Sequence, residues 1–266
     1  VVNSKKHYFN PSFLFNISDK TQIIIEADYL KHHFTPDFGL GGLVLNTTTS
    51  ESKLNTILNI NKFVGTTWQY QTNEMATSTI TLNHQINNNW SYNAVSYYQN
   101  YNKDFYGTER IQWNLQQNGD YIWKRTLNKQ YVEQNYGSLQ FNVNGEFKTG
   151  KLTHKLLAGA DADYLQADTY TYQLQKQDGT YADAGNNFSY GINGNTTNGN
   201  ISIADENTWA TGYTPNSKKK DLTRVPTRRI GVYVQDLISL SEKIKFLAGV
   251  RWSYLENKTT QVTNYL

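Results

Sequence analysis

A repeat of two residues governs this chain. Across residues 9–17 the odd positions carry Phe9, Pro11, Phe13, Phe15 and Ile17, and the even ones include Asn10, Ser12 and Asn16. Residues 21–29 set Ile23, Ile25, Ala27 and Tyr29 against Gln22, Glu26 and Asp28. Residues 137–147 set Leu139, Phe141, Val143 and Phe147 against Gln140, Asn142, Asn144 and Glu146. Leu156, Ala158, Ala160, Ala162 and Tyr164 then alternate with Asp161 and Asp163. Ile244, Phe246, Ala248, Val250, Trp252 and Tyr254 alternate with Lys245, Arg251 and Ser253. Successive strand side chains point to opposite faces, so this pattern specifies strands with one apolar and one polar face. Residues 76–86 fit less cleanly, and the faces of 90–106 cannot be assigned from the pattern. No segment carries a helical stripe, and none approaches the roughly 18 apolar residues of a membrane helix.

The connections alternate as well. Ser18-Asp19-Lys20, Asn87-Asn88-Asn89, Lys148-Thr149-Gly150 and Leu240-Ser241-Glu242 are short polar turns between strands. Between the resulting hairpins lie long Gly-, Asn-, Thr- and aromatic-rich segments at about 34–70, 107–129 and 176–228. The spacing predicts an antiparallel up-and-down meander of about eight strands, with short turns at one edge and long loops at the other. Transmembrane β-barrels have this asymmetry, with an aromatic girdle at each interface. Trp90, Tyr164, Trp252 and Tyr254 are the girdle candidates. A lipid-facing surface must also lack charge, because Lys or Arg at the bilayer midplane costs about 2–4 kcal/mol. The five clean apolar faces carry none. Asp236 is the exception, sharing parity with Ile230, Val232 and Val234; an interfacial position or a bulge would accommodate it.

Composition removes other classes. The 266 residues hold no Cys, which excludes disulfide frameworks, zinc ribbons and thiol nucleophiles. With 25 Lys+Arg against 22 Asp+Glu, the net charge of +3 gives no footprint for nucleic acid. An aromatic fraction of 14% beside 18% charged residues is wrong for disorder. None of His7, His32, His33, His84 and His154 sits in a metal-binding frame, and adjacent strand residues such as His32 and His33 diverge. The carboxylate pairs Asp161/Asp163 and Glu26/Asp28 read as lumen charge rather than acid–base machinery, and Lys218-Lys219-Lys220 as a solvated loop tip. No catalytic or metal site is expected.

Several motifs follow one another in a recognisable order. They are Asn10-Pro11-Ser12-Phe13, Ala27-Asp28-Tyr29-Leu30, Thr35-Pro36-Asp37-Phe38-Gly39, Asn61-Lys62-Phe63-Val64-Gly65, His84-Gln85 with Asn89-Trp90-Ser91, and Leu157-Ala158-Gly159-Ala160-Asp161. The strongest are Gly231-Val232-Tyr233-Val234-Gln235-Asp236 and Leu247-Ala248-Gly249-Val250-Arg251. Together they resemble the TonB-dependent siderophore receptors, especially the ferrichrome-type branch. The resemblance implies that residues 1–266 are a partial β-barrel domain, an arc of a transmembrane wall in the outer membrane of a Gram-negative bacterium. The ends, Val1-Val2-Asn3 and Thr263-Asn264-Tyr265-Leu266, read as cuts from a longer polypeptide. The family's plug and TonB box are expected outside these residues.

The same resemblance implies a function and a set of partners. The receptor would bind and import a ferric siderophore, hydroxamate- or ferrichrome-like, with energy from the TonB complex acting through the N-terminal plug. The ferric siderophore is transported ligand, not cofactor, and the segment is not an enzyme. Outer-membrane lipid and lipopolysaccharide would surround the wall, and the full-length barrel would be a monomer. The ligand-binding candidates are the loop aromatics Trp68, Tyr70, Tyr106, Trp113, Tyr121, Trp123, Trp209 and Tyr213, whose faces suit a compact ligand with apolar flanks. Packing of the loops or a membrane girdle would use the same residues. Two other classes also fit the strand pattern: a complete eight-stranded barrel acting as adhesin or passive pore, and a secreted carbohydrate-binding β-sandwich.

Overall fold

A computed structural model describes residues 2–264; Val1, Tyr265 and Leu266, on which part of the cut-end expectation rests, lie outside the described residues. The chain forms β1 (Ser4–Phe9), β2 (Ser12–Ser18), β3 (Thr21–Phe34), β4 (Gly42–Asn46), β5 (Glu51–Lys53) and β6 (Tyr70–Asn87). Then come β7 (Trp90–Thr108), β8 (Gln112–Leu115), β9 (Tyr121–Lys124), β10 (Thr126–Thr149) and β11 (Leu152–Gln175). The last are β12 (Tyr181–Asp183), β13 (Gly185–Ser189), β14 (Asn200–Ser202), β15 (Ser217–Ser239), β16 (Lys245–Asn257) and β17 (Thr260–Val262). The main sheet is an antiparallel meander in the order β1-β3-β6-β7-β10-β11-β15-β16, with β2 continuing beside β3. All four expected hairpins are present. The sheet is open: β1 and β16 do not pair, so the described residues form neither a closed eight-stranded barrel nor two sheets packed face to face.

Register explains why the alternation is so strict. Residues directly opposite in an antiparallel sheet share a face. One row across the wall reads Phe15, Ile23, Leu82, Ala94, Phe141, Ala160, Val232 and Trp252. Two residues along each strand, the next reads Phe13, Ile25, Ile80, Ser96, Leu139, Ala162, Ile230 and Tyr254. Neither row contains a charge, and Phe141, Leu139, Val232 and Trp252 are all exposed. The apolar band runs along β10 from Gly137 to Phe147, about 34 Å of strand at ~3.4 Å per residue. Tilted by ~40–45°, that length covers about 25 Å, the height of a barrel's lipid-facing band. Trp90 lies toward the short turns and Tyr164 toward the loops, whereas Trp252 and Tyr254 fall within the band's own rows.

The opposite face is polar. Its corresponding row reads Asn16, Gln22, Asn83, Asn93, Asn142, Gly159, Tyr233 and Arg251. Two of the carboxylates there are paired with arginines, and a third is held by neutral donors. Arg251 grips Asp161 through two bonds of 2.7 and 2.8 Å, and Arg229 binds Asp163 at 2.8 Å. Gly231 permits the first pair: a Cβ there would stand 2.1 Å from Arg251 Nη2. Asp28 accepts bonds from Tyr8, Asn10 and Thr77.

Of the two expectations for Asp236, the interfacial position holds and the bulge does not: the register places it in the row of Trp90, beside the short turns. The ladder runs through it without a bulge, pairing it with Leu156 and Ala248. Its carboxylate meets His154 Nδ1 at 2.6 Å, and the His154 ring stacks on Phe147 at 4.7 Å. The pair sits on the apolar face near the short turns, with His154 Nε2 and Asp236 Oδ1 both buried and unpartnered.

The long connections depart further from expectation, because they are not structureless. β7, β10, β11 and β15 continue as paired strands well past the band, and residues 217–228 belong to β15 rather than to a loop. Lys218, Lys219 and Lys220 are therefore strand residues rather than a loop tip, with Lys218 and Lys219 still exposed. Lys218 lies over Tyr181 and Lys219 over Tyr170, at 4.5 and 4.0 Å from the ring centroids, and Lys220 binds Asp183 at 2.7 Å.

Two stability measurements follow. In lipid vesicles, Phe141→Lys should cost about 2–4 kcal/mol in denaturant unfolding of the complete receptor, while Gln140→Lys on the other face should be nearly silent. Asp236→Ala should destabilise by about 3 kcal/mol, whereas the double replacement His154→Phe with Asp236→Leu should be neutral or stabilising. Equal effects of the single and double changes would show that the buried pair has no such cost.

Candidate functional site

The three long connections fold together into a cap. Its framework is a second sheet in the order β14-β9-β8-β4-β5, in which β4 and β8 run parallel. Leu43, Val64, Ile111, Trp113, Trp123, Ile201 and Ile203 form a buried core, flanked by Leu58, Tyr121 and Trp209. Two indoles, one in this core and one on its flank, also satisfy their polar edges. Trp113 Nε1 donates to Leu40 O and Trp209 Nε1 to Ser202 O, each at 2.7 Å. A second core gathers Tyr106, Leu127, Leu174, Phe188 and Tyr190, with Trp68 and Tyr70 against it. Here Tyr106 donates to Pro215 O at 2.7 Å and Tyr190 to Tyr213 O at 2.6 Å.

Arg125 ties the cap together. Its side chain is fully buried, yet it makes no ion pair among the described residues. Its guanidinium instead donates to four backbone carbonyls: Tyr190 O at 2.7 Å, Gly191 O at 2.8 Å, Trp209 O at 2.9 Å and Ala210 O at 3.2 Å. One side chain at the foot of β10 thereby anchors two separate stretches of the third connection. Burial pulls the guanidinium down to about 10, still charged at neutral pH. Lys129 plays a similar part lower down, bound to Asp104 at 2.8 Å and to Tyr70 Oη at 2.7 Å among the rings of Tyr70, Tyr106 and Tyr172. Burial raises Tyr172 to about 12.

The eight aromatic candidates can now be placed. Trp113 (0% exposed), Trp123 (3%) and Tyr106 (4%) are core residues of the cap with no face open to solution. Trp68, Tyr70, Tyr121 and Trp209 are half-buried flanks of the two cores. Tyr213 is exposed and touches Tyr190 edge-on at 6.5 Å. The structure thus unites seven of the eight in cap packing.

A panel that the sequence pattern did not single out lies on the polar face, above the charge pairs and beneath the cap. The register assigns the ambiguous residues 90–106: Tyr97, Gln99, Tyr101, Lys103 and Phe105 point to the polar face, and Tyr98 and Tyr106 to the other. Across the neighbouring strands the panel adds Tyr136, Gln134, Asn73, Gln71 and His32. Tyr97 and Tyr136 rings lie 5.8 Å apart, and Tyr101 donates to Asn73 Oδ1 at 3.2 Å. Phe38, from the first connection, packs edge-on against Phe105 at 6.2 Å. Lys103 lies over the Phe105 ring and has no ion-pair partner among the described residues. His32 stacks on Phe34 while His33 stacks on Tyr70, on opposite sides of the sheet. The panel offers hydroxyls, amides, ring faces and one free cation. Continuing the alternation of β10 past Leu139 places Tyr136 and Gln134 on this face, whereas the β7 members are assigned only by their register. Replacing Arg125 by Met should open the cap, leaving carbonyls unsatisfied at a cost of at least ~2 kcal/mol. Faster proteolysis within 176–216, with the wall still protected, is the expected readout; unchanged proteolysis would exclude the anchoring role.

Comparison with known proteins agrees with this architecture. Residues 8–265 match the family described as TonB dependent receptor-like, beta-barrel. The catecholate siderophore receptor Fiu of Escherichia coli O6:H1 is 23% identical over 172 residues, covering 60% of this chain and 23% of that protein. Among solved structures, the ferric-catecholate import receptor Fiu from K12 E. coli in its closed form superposes with a TM-score of 0.72 at 17% identity, over 97% of this chain and 35% of that one. The ferripyoverdine receptor of the Pseudomonas aeruginosa outer membrane gives 0.73 at 14% identity, over 99% and 32%. This chain therefore spans about a quarter to a third of the length of these relatives. A charge-free outer band, a polar inner face, short turns opposite long folded loops, and a match over nearly every residue all point one way: the chain belongs to the TonB-dependent receptor β-barrel family.

Proposed function

We propose that residues 1–266 are one arc of the barrel domain of an outer-membrane receptor that binds and imports ferric siderophore. TonB energy would reach it through a plug domain supplied elsewhere in the receptor. The observation that carries this reading is the inward panel of Tyr97, Tyr101, Tyr136, Phe105 and Lys103 beneath a pre-folded cap. A compact chelate with apolar flanks and carbonyl rims would meet ring faces, amides and hydroxyls there. Of the loop aromatics, Tyr213 and the open edges of Trp68, Tyr70, Tyr121 and Trp209 remain candidate contacts. Outer-membrane lipid and lipopolysaccharide would contact the apolar band, and the complete receptor would be a monomer. The segment does no covalent chemistry.

The ligand reading we favour is hydroxamate-like. Ferric hydroxamates are neutral, and on the inner face Asp161 and Asp163 are each ion-paired with an arginine within the wall. A catecholate ligand is the second reading. Ferric catecholates are multiply anionic, Lys103 is an unpaired cation, and relatives are named for catecholate import. Cells carrying the complete gene as their only such receptor separate the two. Deleting the gene should abolish uptake of the cognate iron complex, and undiminished uptake would refute the import reading. Lys103→Gln should leave ferric hydroxamate uptake within about threefold, whereas loss of a charge contact to a catecholate would cost roughly tenfold or more in apparent affinity.

A further inference from the structure

The most exposed apolar side chains of this chain do not face lipid. Among the described residues Ile60 is 86% exposed and Leu54 85%, against 69% for Val250 in the lipid-facing band. Both lie in the first connection, and Ile57 between them is exposed as well. Lipid accounts for Val250. It does not account for these three, because the connection reaches them across the inner face, where Phe38 packs on Phe105. Nor is the segment a loose coil. Asn55 Oδ1 accepts from the Ile57 and Leu58 amides at 3.1 and 3.2 Å, and Asn55 Nδ2 donates to Leu40 O at 3.1 Å. Leu58 packs on the core around Trp113, and Lys62 binds Glu206 at 2.8 Å. The turns thus hold Leu58 inward and present Leu54, Ile57 and Ile60 to water, an apolar surface of the kind that marks an interface.

The neighbour missing from that surface follows from the topology. In the cap sheet β4 pairs with β8 of the second connection on one side and with β5 on the other. β5 is therefore one free edge of the cap sheet, and residues 54–60 follow it directly. In a meander, the next connection on that side is the one leading into β1. β1 enters the wall from the cap end: Ser4 pairs with Phe34, and Thr35 N donates to Asn3 O at 2.8 Å. The backbone ahead of β1 thus sets out beside the first connection. Glu51 and Lys53 place charges on the β5 edge, which discourages addition of a strand there and leaves the apolar side chains as the contact.

We propose that Leu54, Ile57 and Ile60 form the docking surface for the receptor's own preceding connection, the segment immediately ahead of Val1, which closes the cap on its β1 side. This chain spans only about a third of its solved relatives, so most of the ring of connections lies outside it. The inference rests on the reading of these residues as one arc of a larger barrel, and it is independent of which iron complex is carried.

The test uses the complete receptor, purified in mild detergent, with a photoreactive phenylalanine analogue at position 54, at position 60 or, as control, at position 118 in the exposed turn between β8 and β9. Irradiation and peptide mapping should join positions 54 and 60 to the segment just ahead of Val1, and position 118 to none of it. Leu54→Asp combined with Ile60→Asp should speed proteolysis within residues 34–70 while the wall stays protected. Cross-links from 54 and 60 to the plug, to another connection or to a second copy would overturn the proposal, as would unchanged proteolysis of the double variant. Heat-modifiable gel mobility reports separately on the barrel. A complete protein without it would refute the arc reading and this inference with it, whereas a closed barrel lacking the cross-link would refute the docking alone.

Discussion

A strand facing hydrocarbon can hide its peptide groups only by pairing them, and its charges only by turning them to the other side. The wall answers to that pair of demands, with Asp236 beside His154 near the short turns as the exception. Cross-strand rows such as Phe15-Ile23-Leu82-Ala94-Phe141-Ala160-Val232-Trp252 stay uncharged over eight strands because each register keeps the same parity facing out. A one-residue slip in any ladder would exchange Phe141 for Gln140 or Val232 for Tyr233 and expose the polar face to lipid. The polar face is freed from that demand. It holds several of its charges in pairs such as Arg251 with Asp161.

Above the band a different constraint takes over. The connections meet water, so their order must come from packing of their own. They achieve it with indoles and phenols that bury ring area while their polar edges bond to backbone carbonyls, as Trp113 does to Leu40 and Tyr106 to Pro215. Arg125 supplies the cross-link, one buried cation satisfied entirely by carbonyls. A cap built this way is ordered before any ligand arrives. Such pre-ordering lowers the entropic cost of binding.

Much of the wall was legible in the sequence, because two-residue alternation and turn chemistry are local signals. The hairpins at Asp19, Asn88, Thr149 and Ser241 and the inward Asp161 and Asp163 could be read directly. What could not be read depended on partners distant in sequence. The 90–106 segment is tyrosine-rich on both faces, so hydropathy alone does not separate Tyr97 from Tyr98; only pairing with Ser138 and Gly137 does. Asp236 looked like a misplaced charge until His154 appeared beside it from the neighbouring strand. The loop tryptophans read as ligand contacts because nothing local reveals that segments around residues 43, 113, 123 and 201 share a core. The lysines at 218–220 looked like a loop tip because their ring partners lie on other strands.

The central claim is that one face of this sheet meets lipid and the other a wet interior. The chain has no Cys, so single cysteines introduced here can carry a fluorophore without competition from this segment. With the complete receptor in vesicles of brominated lipid, labels at positions 141 and 232 should be strongly quenched, and those at 140 and 233 spared. Equal quenching at all four positions, or quenching confined to 140 and 233, would contradict the assignment of faces on which the account stands.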